Sequence, residues 1–133
     1  MVKYTGKDGK EYVLRYDMYA MEEIKEKYQG TAEALQQMSG RAIDVVVDVF
    51  VILAQAGAEF VAERDGRICK EKITGEGLLT KRSSPGRVAG MMAAIKEAVK
   101  DGNRMQTKDE EDDTVRDGYL EELREQEREK GKN

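Results

Sequence analysis

Residues 41–62, RAIDVVVDVFVILAQAGAEFVA, decide the fold because they are apolar around most of a helical circumference. Four polar side chains fall within one strip about 60° wide at ~100° per residue: Asp44, Asp48, Gln55 and Glu59. The β-branched content would also suit a strand, but on a strand these four positions would be scattered. A helix that is apolar nearly all round is buried by its neighbours. The pattern therefore predicts a buried central helix.

An N-terminal β-hairpin is predicted over residues 2–16, where apolar and polar residues alternate. Asp8-Gly9 marks its turn, and the length of the loop sets the register. A two-residue loop would pair Tyr4 with Val13 and send the two apolar sets to opposite faces. A three-residue loop that also includes Lys7 pairs Tyr4 with Tyr12 and gathers the apolar side chains on one face. We expect the second register.

Three further helices are predicted, at about residues 17–29, 31–37 and 84–101. Asp17 is the expected N-cap of the first, and Gly30 is expected to end it. Ser84-Pro85 has the order typical of an N-cap followed by proline at the first helical position. The segment 101–103, Asp-Gly-Asn, is expected to stop that last helix. Between the central and last helices the chain is irregular, with Ile68 and Ile73 as expected anchors.

Charge divides the chain into a body and a tail. Residues 1–103 hold 16 Lys/Arg and 16 Asp/Glu and are therefore neutral. Residues 104–133 hold 7 Lys/Arg and 11 Asp/Glu, and this difference, 7 − 11, is the whole net charge of −4. The tail has too little apolar surface to offset the entropy lost on ordering. The predicted fold is therefore mainly α (α+β): one folded domain over 1–103, with a hairpin and a small helical bundle around the central helix, followed by a flexible acidic tail over 104–133.

Several functional classes are not expected from the composition. Nucleic-acid binding needs clustered Lys and Arg, so a neutral body with an acidic tail argues against nucleic acid as the main partner and leaves only a local basic patch open. Cys69 is the only cysteine, so it completes neither an intrachain disulfide nor a cysteine-based metal site. The longest apolar run, residues 49–54, is far below the ~18 residues that span a membrane, and the N-terminus lacks a secretion signal. We expect a cytoplasmic protein without cofactor or metal.

No catalytic site is predicted. The chain contains no His to activate a nucleophile. Asp44 and Asp48 lie one helical turn apart and could act as paired carboxylates or bind a hard cation, but a solvent-facing strip of the central helix is the favoured interpretation. The residues expected to contact a partner are apolar or aromatic groups at exposed positions: Tyr19, Tyr119, Leu120 and Leu123.

The stretch 12–28, YVLRYDMYAMEEIKEKY, resembles the opening of bacteriophage and prophage tail-assembly chaperones. The shared pattern is a strand that ends in an aromatic-Asp pair and runs into an apolar, Glu-rich helix closed by an aromatic residue and Gly. Here Gln29 separates Tyr28 from Gly30, a small departure. The later order, a buried middle helix, a linker and a Ser-Pro-led helix, is also similar, so the resemblance covers about residues 2–103.

The resemblance implies a small, non-enzymatic helical protein of a long-tailed phage. Such chaperones keep the tape-measure protein soluble, help to recruit tail-tube subunits and are absent from the finished virion; many are made in two lengths by ribosomal frameshifting. The implied partners are the tape-measure and tail-tube proteins, with self-association also open. A minor structural or head–tail connector protein and, after it, a phage-encoded regulator are the alternatives.

Overall fold

The computed structural model describes residues 1–40 and 42–111. In chain order these form the strands β1 (Val2–Thr5) and β2 (Glu11–Leu14) and the helices α1 (Met18–Tyr28), α2 (Thr31–Ser39), α3 (Ile43–Arg64) and α4 (Pro85–Glu111). The fold is mainly α with an N-terminal hairpin and a small helical bundle, as predicted. Of the predicted acidic tail, residues 112–133 lie outside the described residues.

The chain divides into two compact units. The first is Met1–Gly102, and it contains the hydrophobic core. The second is Asn103–Asn133, of which the described part is helical backbone up to Glu111. The packing and the site described below belong to the first unit.

The hairpin has the predicted three-residue loop. Tyr4 pairs with Tyr12, and Val2 pairs with Leu14. Gly9 has a positive φ of 84°, the left-handed conformation that a bulge-type turn requires and that glycine adopts without strain. The predicted register is therefore confirmed, and it directs one apolar face of the hairpin towards the helices.

Aromatic packing joins the hairpin to α3. The rings of Tyr4 and Tyr12 meet the ring of Phe50 edge-on, with centroids 5.1 and 5.3 Å apart. Phe50 is fully buried, so one helical side chain anchors both strands. Such edge-to-face pairs add about 0.5–1.5 kcal/mol each beyond the area they bury.

A glycine notch in α3 lets β2 lie directly on the helix backbone. A Cβ built on Gly57 would overlap the carbonyl oxygen of Val13 and lie 2.6 Å from its carbonyl carbon. Because Gly57 has no side chain, the strand comes close enough for the Arg15 amide to donate to the Leu53 carbonyl oxygen at 3.1 Å. The hairpin is thus hydrogen-bonded to the central helix as well as packed on it.

The N-cap predicted for α1 is confirmed, and the residue predicted to end it is not. The amide of Ala20 donates to the Asp17 carboxylate at 3.0 Å. Gln29, with φ 73°, is the left-handed residue after the helix, and its amide donates to the Lys25 carbonyl oxygen. Gly30, predicted to end α1, is extended, and its carbonyl accepts the first hydrogen bond of α2.

Helix α2 is two residues longer than predicted. It continues to Ser39, whose hydroxyl donates to the Leu35 carbonyl oxygen at 3.1 Å, and Gly40 follows as its C-cap. Ala34 and Met38 are its buried residues, while Leu35 is half-buried.

Helix α3 is the core helix, displaced by two residues from the predicted 41–62. The hairpin, α1 and α2 all pack against it. Its length and composition alone would also allow it to cross a membrane, with a mean hydropathy of 2.0, but 50% of its most apolar window is buried inside this fold. Packing against the other elements therefore covers half of this apolar window.

Helix α4 begins as predicted and ends later than predicted. The amide of Arg87 donates to the Ser84 hydroxyl at 3.2 Å, and Pro85 is the first helical residue. The expected stop at 101–103 is wrong, because Gly102 lies inside the helix. A Cβ on Gly102 would lie 2.8 Å from the Cβ of Tyr16, so this glycine serves close packing and does not terminate the helix.

One of the two predicted anchors of the connecting segment is correct. Ile73 is buried, and its amide donates to the Gln55 side-chain oxygen at 2.8 Å. Ile68 is 85% exposed, so its predicted anchoring role is wrong. The segment is held to α3 by the polar hydrogen bonds of Gln55, whose amide nitrogen also donates to the Glu71 carbonyl oxygen at 3.0 Å.

Candidate functional site

Tyr19 is the one predicted partner-binding residue that lies within residues 1–40 and 42–111. It is in the first turn of α1 and 49% exposed, next to Met18, which is 55% exposed. The other three predicted contact residues, Tyr119, Leu120 and Leu123, lie outside the described residues. The structure therefore places a candidate contact surface around Tyr19.

An open groove runs between α1 and α3, and Tyr19 stands at its middle. Tyr19, Glu23 and Lys27 recur every four residues and share one face of α1. The groove has two parts, of about 350 and 600 Å³, which meet at Tyr19 and at Glu59 on α3. We refer to both parts together as the Tyr19 groove.

Stacked side chains form the apolar part of the Tyr19 groove. The Arg15 guanidinium lies over the Phe60 ring, 3.7 Å from its centroid. Its Nε is buried without a hydrogen-bond acceptor, and the nearest carboxylate, that of Asp17, is 3.6 Å away. The stacking holds Arg15 flat against α3 and leaves the exposed Tyr19 ring as the prominent apolar group of the groove.

Negative charge predominates around Tyr19. Partial burial and then the charges of Glu23, Glu59 and Asp17 raise the pKa of Tyr19. Glu23 and Glu63, which also line the groove, form no ion pair with any described residue. A cationic group arriving beside the Tyr19 ring would therefore meet unpaired carboxylates and an aromatic face, both of which favour it.

The cations that line the Tyr19 groove are mostly neutralised within the fold. Lys27 donates to the Asp48 carboxylate at 2.9 Å, and Arg64 lies 3.7 Å from Asp65. Lys72 is the cation in the lining that forms no ion pair with a described residue. Unpaired carboxylates therefore outnumber unpaired cations along the groove.

Asp48 links α3 to the end of α1 and does not simply face solvent, which corrects the sequence interpretation. Its carboxylate accepts hydrogen bonds from the Tyr28 hydroxyl at 2.5 Å and from Lys27. Burial first, and then the bond to Asp48, raise the pKa of Tyr28. Asp44 is exposed. Asp48 therefore forms a structural link between α3 and α1, whereas Asp44 has the solvent-facing position that the sequence predicts.

The described residues contain no cluster of side chains suited to binding a metal ion. Within residues 1–40 and 42–111, no three His, Cys, Asp or Glu side chains come together in a way that could hold a metal ion. Lys10 pairs with Glu71 at 3.0 Å, and that contact raises the pKa of Lys10.

A second groove lies beside Ile68, and sequence reasoning missed it. It encloses about 740 Å³ and is lined by small apolar residues of α3, by Val13 and by the loop 66–71. Cys69 belongs to this loop, half-buried, with its Sγ 3.5 Å from the Glu71 carbonyl oxygen. The sequence feature that could have indicated this groove is Ile68, an isolated apolar residue among charged ones just after an Asp-Gly turn.

Comparisons of this chain with models of protein families, with curated proteins and with solved structures found no match.

Proposed function

We propose that this protein is a tail-assembly chaperone of a long-tailed bacteriophage or prophage. It would hold helical stretches of the tape-measure protein in solution and help to recruit tail-tube subunits. The proposal includes a location in the bacterial cytoplasm, absence from the mature virion and no catalytic activity.

The observation that carries the proposal is where the family-like stretch lies in the fold. Residues 12–28, which carry the resemblance, form β2, the turn after it and α1. The same stretch contributes Arg15, Asp17 and Tyr19 to the Tyr19 groove. The part of the chain that resembles these chaperones is therefore also the part that presents an exposed aromatic side chain beside an open groove.

The mode of binding we propose is a helix lying in the Tyr19 groove. A client helix would place one large apolar side chain against Tyr19 and Phe60, with Lys or Arg side chains one turn away near the unpaired carboxylates. Helix-in-groove recognition uses anchors at such i, i+3, i+4 and i+7 spacing. An exposed aromatic surrounded by polar groups is also the composition of an interaction hot spot.

Co-expression with helical segments of a tape-measure protein tests the proposal; the client is chosen from the neighbouring genes as a very long helical product. The measurements are the soluble fraction of each segment and its recovery on the tagged chaperone. At least one segment should become soluble and copurify, and Tyr19→Ala should reduce its recovery about 10-fold or more. Lys96→Ala, an exposed change on α4, is the matched control and should leave recovery unchanged.

Two results would count against this function. If no tape-measure segment is rescued by the wild-type chain, the chaperone role fails. If the protein is found as a stoichiometric component of purified virions, the minor structural or connector alternative replaces it.

A further inference from the structure

Residues 71–75, which we term the strap, lie against α3 and are held there by one side chain of that helix. Gln55 accepts a hydrogen bond from the Ile73 amide at 2.8 Å and donates one to the Glu71 carbonyl oxygen at 3.0 Å. A glutamine amide group supplies an acceptor and donors together. A single side chain therefore fixes the strap at two backbone positions.

The far end of the strap passes over two valines of α3. A Cβ built on Gly75 would lie 2.5 Å from Val47 Cγ1 and 3.7 Å from Val51 Cγ2. Val47, Val51 and Gln55 are four residues apart, so they share one face of the helix; we term the two valines the valine stripe. The distance from Gln55 to Val47 is about 12 Å along the helix axis. The strap spans about 13 Å when extended, so it runs antiparallel to α3 over this face.

Few interactions hold the strap in place. Between residues 68 and 74 the backbone forms no backbone-to-backbone hydrogen bond with a described residue. Ile73 is the one buried side chain of the strap, and the ion pair of Glu71 with Lys10 is exposed. Segments with few buried apolar contacts open locally while the rest of the fold stays intact. Water can replace both hydrogen bonds of Gln55, which is only half-buried, so opening leaves no buried polar group without a partner.

The strap is also part of the wall of the Tyr19 groove. Lys72 and Ile73 line the part of about 350 Å³, together with Tyr19, Val51 and Gln55. One turn of a helix, about 10 Å across and about 5.4 Å high, fills roughly 400 Å³. This part of the groove therefore accepts less than a full helical turn while the strap is in place. A helix that continues along α3 must displace the strap.

We propose that the strap is a movable cover over a second apolar part of the client site. When the strap leaves Gln55, the Tyr19 groove widens to include the valine stripe, and a client helix lies there in place of the strap. Apolar client side chains at i and i+4 then replace Ile73 against the valines. This inference rests on the proposed function, because the occupant is the client helix.

Charge and apolar surface both specify this occupant. The unpaired carboxylate of Glu23 lines the same part of the groove, so the helix that fits carries Lys or Arg beside its apolar positions. Without a client, the closed strap covers the valine stripe and limits the exposed apolar surface that would favour aggregation. The strap thus keeps the free chaperone soluble and gives way to a helix that offers better apolar contacts.

A disulfide between the strap and α3 tests the proposal. The Cβ built on Gly75 lies 4.0 Å from the Val47 Cβ, within the range of about 3.5–4.5 Å that a disulfide requires. Val47→Cys also removes the methyl group that this Cβ would overlap. The variant therefore combines Val47→Cys and Gly75→Cys in a Cys69→Ser background. Its oxidised form keeps the strap closed, and its reduced form is the matched control because the sequence is the same.

Hydrogen exchange of the Ile73 amide measures opening without any client. In the wild type and in the reduced variant, this amide should exchange roughly 100-fold faster, or more, than the amide of Leu53, which is buried in α3. Oxidation should slow the Ile73 amide roughly 10-fold or more and leave Leu53 unchanged or slower. Equal exchange of the two amides in the wild type would overturn the proposal, because the strap would then open only when the whole domain unfolds.

The client arm uses a tape-measure segment that the wild-type chain keeps soluble. The oxidised variant should recover about 10-fold less of this segment than the reduced variant, and dithiothreitol should restore recovery. Equal recovery by the two forms overturns the movable strap and leaves the chaperone function standing. A wild-type chain that rescues no segment contradicts the proposed function, and the second part of the client site fails with it.

Discussion

Adding one methyl group at Gly57 should separate the hairpin from the central helix. A Cβ there would overlap the carbonyl oxygen of Val13, which is backbone and cannot rotate away as a flexible side chain can. The strand must therefore move outward. That movement lengthens the hydrogen bond from the Arg15 amide to the Leu53 carbonyl oxygen, now 3.1 Å.

Three terms set the size of the effect of Gly57→Ala. Forcing an extra carbon into a packed interface costs about 1–3 kcal/mol, and losing the Arg15–Leu53 hydrogen bond costs about 1 kcal/mol. Alanine regains about 1 kcal/mol over glycine through its helix propensity. The free energy of unfolding should therefore fall by about 1–3 kcal/mol.

Urea unfolding followed by circular dichroism measures this change, and Gly90→Ala is its matched control. Gly90 is also a helical glycine, but a Cβ there meets nothing within 4 Å. The control should therefore gain about 0.5–1 kcal/mol from propensity alone. Equal stabilisation of both variants would refute the close packing of β2 on α3. Faster hydrogen exchange of the Arg15 amide in Gly57→Ala would locate the damage at the hairpin.

Three further predictions concern the caps and the link between α1 and α3. Gln29→Gly should raise the free energy of unfolding by about 1 kcal/mol, because glycine adopts φ 73° without the strain that glutamine bears there; a lower thermal midpoint would contradict this. Asp17→Ala should cost about 1 kcal/mol by removing the acceptor for the Ala20 amide, whereas Asp17→Asn should cost less, as compared by urea unfolding. Tyr28→Phe should cost about 1–3 kcal/mol near neutral pH because the hydroxyl donates to the Asp48 carboxylate. Since the pKa of Tyr28 is raised in the folded state above its ordinary value of 10.0, the unfolded chain ionises first as the pH rises, and the stabilisation is lost above pH 10. The advantage of the wild type over Tyr28→Phe should then shrink by about 1.4 kcal/mol per pH unit in urea titrations, and a constant advantage would show that this coupling is absent.

The parts of the fold that the sequence predicts correctly are decided within one element. The hairpin register follows from the alternation of residues 2–16 and from the turn, since only one loop length gathers the apolar side chains on one face. The caps Asp17 and Ser84 need only an acceptor next to the first turn of a helix. That α3 is a helix follows from its polar residues, which fall in one narrow strip only at helical spacing.

Two of the errors concern the part that a glycine plays at a helix end. Gly102 was expected to stop the last helix, but it lies within α4 and allows close approach to Tyr16. Gly30 was expected to end α1, yet Gln29 takes the left-handed position and Gly30 is extended. A glycine that ends a helix and a glycine that allows close packing within a helix look alike in one sequence, because the difference depends on what packs against them.

The candidate site could be predicted only in part. Folding gathers acidic side chains on one surface, and the overall composition does not show this. Tyr19 is recognisable as an exposed aromatic in a charged helix, but the equal counts of acidic and basic residues over 1–103 indicate a featureless surface. Folding brings Glu59 and Glu63 of α3 beside Tyr19 of α1, while Ile68 and its basic neighbours emerge on the other side of the same helix. A helix buried around most of its circumference can therefore carry two dissimilar surfaces at its exposed end.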